Sequence, residues 1–145
     1  VPDLDVDAFA RALVAFNRQF IRAPRSARLS FSTLSVLDSL AAAGRPLRLS
    51  ELTRTEQVTQ PRLTQLVAQM ERDGLVMKQP DPRDGRAVLI ALTEKGRSVT
   101  LSRHEDRVER LRPLVGELAP EEREALAAVV PALRRLAELG AADER

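Results

Sequence analysis

Glutamine and arginine carry paired or forked hydrogen-bonding groups that match the edges of nucleic-acid bases, and threonine adds a hydroxyl and a methyl group. Such side chains crowd one short stretch of this chain: Thr59, Gln60, Arg62, Thr64, Gln65 and Gln69, with Pro61 among them. Between them Leu63, Leu66, Val67 and Met70 recur at helical spacing and make an apolar stripe. On a helix, Pro61, Gln65, Ala68 and Arg72 then lie opposite that stripe, flanked by Arg62, Thr64 and Gln69. The spacing therefore predicts a helix that is buried on one side and offers base-reading groups on the other. A second cluster follows, in which Arg83, Asp84 and Arg86 sit in and beside the run PDPRDG. Cations held there would suit a phosphate backbone or a narrow, electronegative minor groove.

The elements that must position these groups are legible around them. Thr59 is a good helix N-cap, Pro61 is tolerated in a first turn, and Gly74 can supply a left-handed ending. Leu75 to Gln79 and Arg86 to Leu92 read as two strands around a Pro-Asp-Gly turn. In the second, Val88, Ile90 and Leu92 alternate with smaller residues, as in a strand with one buried face. Upstream, a short helix from about Leu49 to Glu56 is joined to the polar-faced helix by a tight connection at Gln57 and Val58, as in a helix-turn-helix. Helix, turn, helix and an arginine-tipped two-stranded ribbon make the anatomy of a winged helix.

These residues also carry a family resemblance. The stretch Asp81 to Gly96, DPRDGRAVLIALTEKG, resembles the wing pattern of MarR-type (multiple antibiotic resistance) regulators, an Asp-x-Arg pair followed by Leu-Thr-x-x-Gly. Asp84 and Arg86 fall on the pair, and Leu92, Thr93 and Gly96 on the second motif. Thr64 falls on the threonine of that family's recognition helix. Glu71, Gly74 and Leu75 match its Leu-Glu-x-x-Gly-Leu ending, with Met70 in the leucine's place. Two departures stand out. Arg48 occupies a position where a small hydroxyl residue commonly caps the preceding helix, leaving Ser50 to cap it later, and Glu56-Gln57 replaces an apolar-Gly pair at the turn.

The resemblance implies a mainly α fold with a small two-stranded β wing, as a single domain over residues 1–145. Residues 30–97 would form the DNA-binding lobe, and residues 1–22 and 98–145 the helices that pair two copies. It further implies regulation of transcription from a palindromic operator in double-stranded DNA, with repression relieved by a small aromatic or amphipathic acid. The DNA contacts would come from Arg48, Ser50, Thr59, Gln60, Pro61, Arg62, Thr64, Gln65, Gln69, Arg83 and Arg86, with Asp84 orienting Arg86. The ligand would sit between the dimerisation helices and the winged lobe, against Phe16, Phe20, Phe31 and Leu37, with Arg18, Arg22 or His104 facing its carboxylate.

Composition agrees with these expectations. At 145 residues, 30% charged and 43% hydrophobic, the chain can bury a core. No apolar run approaches the ~18–20 residues of a membrane span, no signal peptide opens the sequence, and the absence of cysteine excludes disulfides and thiolate metal sites. A cytoplasmic protein fits. Net charge is only +2, but Arg45 to Arg97 holds ten Lys/Arg against seven Asp/Glu, and Ser98 to Arg145 eight against ten. The reading segment is thus the basic part.

The flanking helices complete the design. Phe9, Leu13, Phe16 and Phe20 form a stripe on a helix from about Asp5 to Arg22, ended by a loop over Ala23 to Arg28. Ser30 or Ser32 caps a second helix running through Ala43 to Gly44. Thr93 caps a long helix to about Val115, and Pro120 opens a last one carrying Leu126, Val129, Val130, Leu133, Leu136 and Leu139. Pro113 and Pro131 predict a bend or break in these two. The terminal apolar positions exceed what one small core needs, which predicts a homodimer.

Catalysis finds no support. His104 is the one histidine, with no second ligand at metal spacing, and there is no P-loop, dinucleotide fingerprint or serine elbow. The expectation is a non-enzyme with no metal and no cofactor. A winged helix that binds another protein instead of DNA is the alternative, and the polar exposed face argues against it, because such a surface lacks large apolar anchors.

Overall fold

The computed structural model describes residues 3–20 and 29–143, and the chain divides into two compact units, Val1–Phe31 and Ser32–Arg145. In the first, the Asp5 carboxylate accepts the Ala8 N–H at 3.0 Å and so opens helix α1 (Val6–Phe20). Its apolar stripe is legible but uncovered: Leu13 and Phe16 are exposed and no residue of the helix is buried. The rings of Phe16 and Phe20 pack with centroids 4.8 Å apart. Arg22 and the loop expected over Ala23 to Arg28 lie outside the described residues.

After Phe31, which begins helix α2 (Phe31–Ala43), the second unit runs through β1 (Leu47–Arg48), α3 (Leu49–Glu56), α4 (Gln60–Arg72), β2 (Val76–Asp81), β3 (Asp84–Leu92), α5 (Glu94–Gly116) and α6 (Pro120–Asp143). Its core is drawn from α2 (Leu34, Val36, Leu37, Leu40), Leu52 of α3, Leu63, Val67 and Met70 of α4, Leu75 in the connection after α4, and Val76 and Ile90 of the ribbon, all nearly or fully buried. Asp38 on α2 takes two guanidiniums from α5, Arg107 at 2.9 Å and Arg103 at 3.3 Å. That ties the long helix to the lobe.

The sheet corrects the sequence reading in three respects. It has three antiparallel strands in the order β1-β3-β2, because Leu47 and Arg48 pair with Ile90 and Leu89. The ribbon is also longer than expected, leaving only Pro82 and Arg83 as the turn between β2 and β3. Pro80 sits within β2, an edge strand, where proline is tolerated, and the register shifts just after it. Val88 does not share the burial of Ile90; it is 45% exposed, since the distal ribbon extends past the elements that cover its base.

Pro113 and Pro131 do not break their helices, which are continuous through both positions. Each proline deletes one ladder bond. Both lie on exposed faces, where water can satisfy the freed carbonyl.

Candidate nucleic-acid interface

Helix α4 owes its orientation to how its two ends are finished. At the start, Thr59 holds extended backbone (φ −68°, ψ 147°) and its carbonyl accepts the Leu63 N–H at 3.0 Å, but its hydroxyl makes no capping bond. Thr59 therefore caps by backbone alone. At the end, Gly74 takes φ +73°; the Gly74 N–H bonds the Glu71 carbonyl at 3.0 Å and the Leu75 N–H reaches back to that of Met70 at 2.9 Å. This pair of bonds is a Schellman ending, which a glycine adopts without a Cβ penalty. The chain then turns directly into the ribbon.

Burial of Leu63, Val67 and Met70 fixes the rotation of the helix. Gln60, Pro61, Arg62, Thr64, Gln65 and Gln69 are all exposed. They are not equally free. The Thr64 hydroxyl donates to the Gln60 carbonyl at 2.8 Å, and the Gln69 amide is engaged at both ends, giving to Asp73 at 3.0 Å and accepting from Arg72 at 2.7 Å. Among the described residues no hydrogen bond occupies the side chain of Arg62 or Gln65, so these two stand ready for an external partner.

On the ribbon, Arg83 and Arg86 are exposed; among the described residues neither guanidinium is held by a salt bridge or hydrogen bond, although the Arg83 charge acts on nearby Asp81. Asp84 does not grip the Arg86 side chain: its carboxylate accepts the Arg86 backbone N–H at 3.0 Å. It shapes the hairpin through the main chain. The residue that sequence reasoning missed is Asp81, only 5% exposed at the end of β2. One of its oxygens accepts the Arg83 N–H at 2.8 Å and the other accepts Nε of Arg48 at 2.7 Å, with a second contact from Nη2. The Arg83 N–H first, and Arg48 after it, hold the Asp81 carboxyl below its usual pKa. Its partner lies 33 residues upstream, so local spacing carried no signal of it.

The start of α3 differs from expectation as well. Arg48 occupies the N-cap position with no side-chain cap, and Ser50 lies inside the helix. The capping comes from Glu51, whose carboxylate accepts the Arg48 N–H at 2.8 Å and pairs with Arg45 at 2.8 Å. Arg45 is the first cause of the lowered pKa of Glu51. At the other end of α3, Gln57 is forced to φ +52°, the left-handed conformation that the missing glycine would have taken freely. Between α3 and the wing opens a cleft of about 650 Å³ with Arg48, Ser50, Arg54, Asp81 and Arg83 on its walls.

For the ligand expected between lobe and dimerisation helices, the residues do not all qualify. Leu37 is fully buried in the lobe core and so offers no surface to a ligand. Phe16, Phe31 and His104 are exposed, and Phe20 is half-buried.

The sequence model of the MarR family matches residues 29–88, the span that contains every candidate DNA contact. An HTH-type transcriptional regulator of Mycobacterium tuberculosis is 31% identical over 128 residues, 85% of this chain and 89% of the relative. This chain belongs to the MarR family. Members of this family are transcriptional regulators, not enzymes. Among solved structures, RV1404 of Mycobacterium tuberculosis superimposes with a TM-score of 0.75 at 26% identity, over 96% of each chain. FabT of Streptococcus pneumoniae, solved in complex with DNA, shares the fold with a TM-score of 0.67 at 20% identity, over 92% of this chain and 98% of that one. No described helix is long and apolar enough to cross a membrane.

The MarR motif residues now have physical roles. The Thr93 hydroxyl accepts the Gly96 N–H at 3.0 Å as the N-cap of α5 and donates to the Gly74 carbonyl at 2.5 Å. One side chain thus joins the end of α4 to the start of α5. Glu71 stands 3.7 Å from Nζ of Lys78.

Proposed function

We propose that this MarR-family chain acts as a homodimer that binds a palindromic operator in double-stranded DNA and represses transcription from it. The observation that carries the reading is the exposed face of α4, where Arg62 and Gln65 are unoccupied above a fully buried Leu63-Val67-Met70 stripe. Gln65 suits an adenine edge and Arg62 a guanine edge. Arg83 and Arg86 on the wing hold the flanking backbone or minor groove. FabT, a protein of the same fold, was solved in complex with DNA, which favours DNA as the partner. As a regulator of the chromosome, the protein works in the cytoplasm.

Pairing falls to residues 1–22 and 98–145, and residues 30–97 form the lobe that reads. In favour of this division, α6 leaves Leu126, Val130, Leu136 and Leu139 about half exposed, and α1 does the same with Leu13 and Phe16. Apolar faces of that extent call for a partner surface. A small aromatic or amphipathic acid relieves repression, with the packed Phe16 and Phe20 rings as its apolar contact. Selection from random duplexes tests the reading. It is expected to enrich inverted repeats whose half-sites lie about 10–10.5 bp apart centre to centre, or a multiple of that. Enrichment of no sequence, or of unpaired half-sites only, would overturn it.

A further inference from the structure

Arg48 looks like a phosphate contact by position, because it begins α3 and lines the cleft beside the wing. Its geometry assigns it another task. Arg48 pairs with Leu89 of β3, and Leu89 pairs with Gln79 of β2. The guanidinium therefore passes over the central strand to reach the end of β2, where Nε and Nη2 close on a single oxygen of Asp81. The other Asp81 oxygen holds the Arg83 N–H, the first amide of the wing tip. The backbone of Arg48 is fixed in turn by Glu51, and Glu51 by Arg45. An unbroken line of charged hydrogen bonds thus runs from the segment before α3, through Glu51, Arg48 and Asp81, to the turn that carries Arg83.

We infer that Arg48 and Asp81 are positioning residues, a clamp that sets the wing against the helix-turn-helix so that Arg83 and Arg86 meet the groove beside the one α4 reads. The inference rests on the DNA-reading function proposed above. Two physical points favour a clamp over a direct contact. Asp81 is buried, and a buried carboxylate is tolerated when it is paired and hydrogen-bonded through both oxygens, as it is here. Arg48, for its part, spends its charge on that carboxylate, so it contributes no net cation to the DNA-facing side. Strand pairing and the Asp84 bond to the Arg86 N–H shape the hairpin itself, but β2 is an edge strand and Val88 is uncovered, so little packing sets the tip against the helices.

Clamp and charge make opposite forecasts, which the variants Asp81→Asn and Arg48→Gln separate. Removing a carboxylate near DNA should tighten binding if only charge matters. The clamp requires the reverse, a loss of about 5–30-fold for Asp81→Asn, the effect of one or two charged hydrogen bonds. Arg48→Gln should lose a similar factor and leave the slope of log affinity against log salt unchanged, because no phosphate contact goes with it. The double variant should lose no more than either single one, and Arg48→Lys should restore part of the loss. Both variants should keep their preference within the half-sites and lose it for A/T-rich flanks, where the wing sits. Thermal melting of each variant, expected to remain cooperative, separates a displaced wing from an unfolded lobe.

Tighter or unchanged binding by folded Asp81→Asn, or a salt slope reduced by about one in Arg48→Gln, would overturn the clamp. So would losses that add in the double variant. A wild-type protein that binds no selected duplex would overturn the DNA-reading function itself, which is a different result.

Discussion

Gly96 lies so close beneath the Leu75 carbonyl that a Cβ built on it would stand 2.1 Å from that oxygen. The first turn of α5 therefore packs against the backbone that leaves α4, and the Thr93 N-cap locks the two together. Backbone on one side of the contact leaves nothing flexible to yield. Gly96→Ala is expected to destabilise the lobe by about 3 kcal/mol, the upper end of ordinary overpacking. Gly116→Ala, with nothing within 4 Å of the new methyl group, should be neutral or stabilising. Urea unfolding midpoints of the two variants make the comparison.

Gln57 offers the opposite opportunity. Its φ of +52° places a side chain in a conformation that costs about 1–2 kcal/mol relative to glycine. Gln57→Gly should raise the unfolding free energy by about 1 kcal/mol, part of the gain being lost to the greater freedom of glycine in the unfolded chain. Since the residue is exposed at the turn and lies off the α4 face, DNA affinity should stay within two-fold by roughly the scatter of surface substitutions. An unchanged urea midpoint would show that the turn carries no such strain.

How far the sequence revealed this structure depended on distance along the chain. Helix α4 was legible because its starting and ending residues, Thr59, Pro61 and Gly74, bracket a regular 3.6-residue stripe. The two residues of β1 have no period to read, and their strand character comes only from pairing with Ile90 and Leu89. Asp81 was absorbed into a turn motif, whereas its function arises from Arg48, 33 residues away. Leu37 was placed in a ligand crevice by resemblance. On α2 Leu37 shares one broad face with the buried residues Leu34, Val36 and Leu40, and helical spacing marks such a face without telling whether the core or a ligand covers it. Val88 followed the alternation of a buried strand, but alternation cannot tell where the covering elements stop.

Acid should weaken the lobe in a defined direction. The carboxyls of Glu51 and Asp81 both have pKa values lowered in the folded state, Glu51 chiefly by the Arg45 hydrogen bond and Asp81 chiefly by the Arg83 N–H. A folded pKa below the unfolded one contributes stability that is present above the ordinary carboxylate range of about 4. That contribution is lost as pH falls through the folded value. Urea midpoints should therefore drop between about pH 5 and pH 3, and the drop should be smaller in Glu51→Gln and Asp81→Asn. Equal acid sensitivity in all three proteins would assign the effect to other carboxylates.

The uncovered faces of α1 and α6 carry an expectation about assembly. Sedimentation at micromolar concentration should find a dimer. Leu136→Glu with Leu139→Glu, two charges on a face now half exposed, should shift the protein toward monomer and abolish tight operator binding with it. A wild-type monomer that still binds a palindrome tightly would contradict this.

Binding isotherms at several salt concentrations, for Gln65→Ala and Arg86→Ala on the selected duplex and on a scrambled one, test most directly whether α4 reads while the wing holds. Gln65→Ala should lose about 1–3 kcal/mol on the selected duplex and little on the scrambled one, with its salt slope unchanged. Arg86→Ala should weaken both duplexes and reduce the salt slope by about one per half-site. Equal losses by both variants on both duplexes, or no loss by either, would contradict the account.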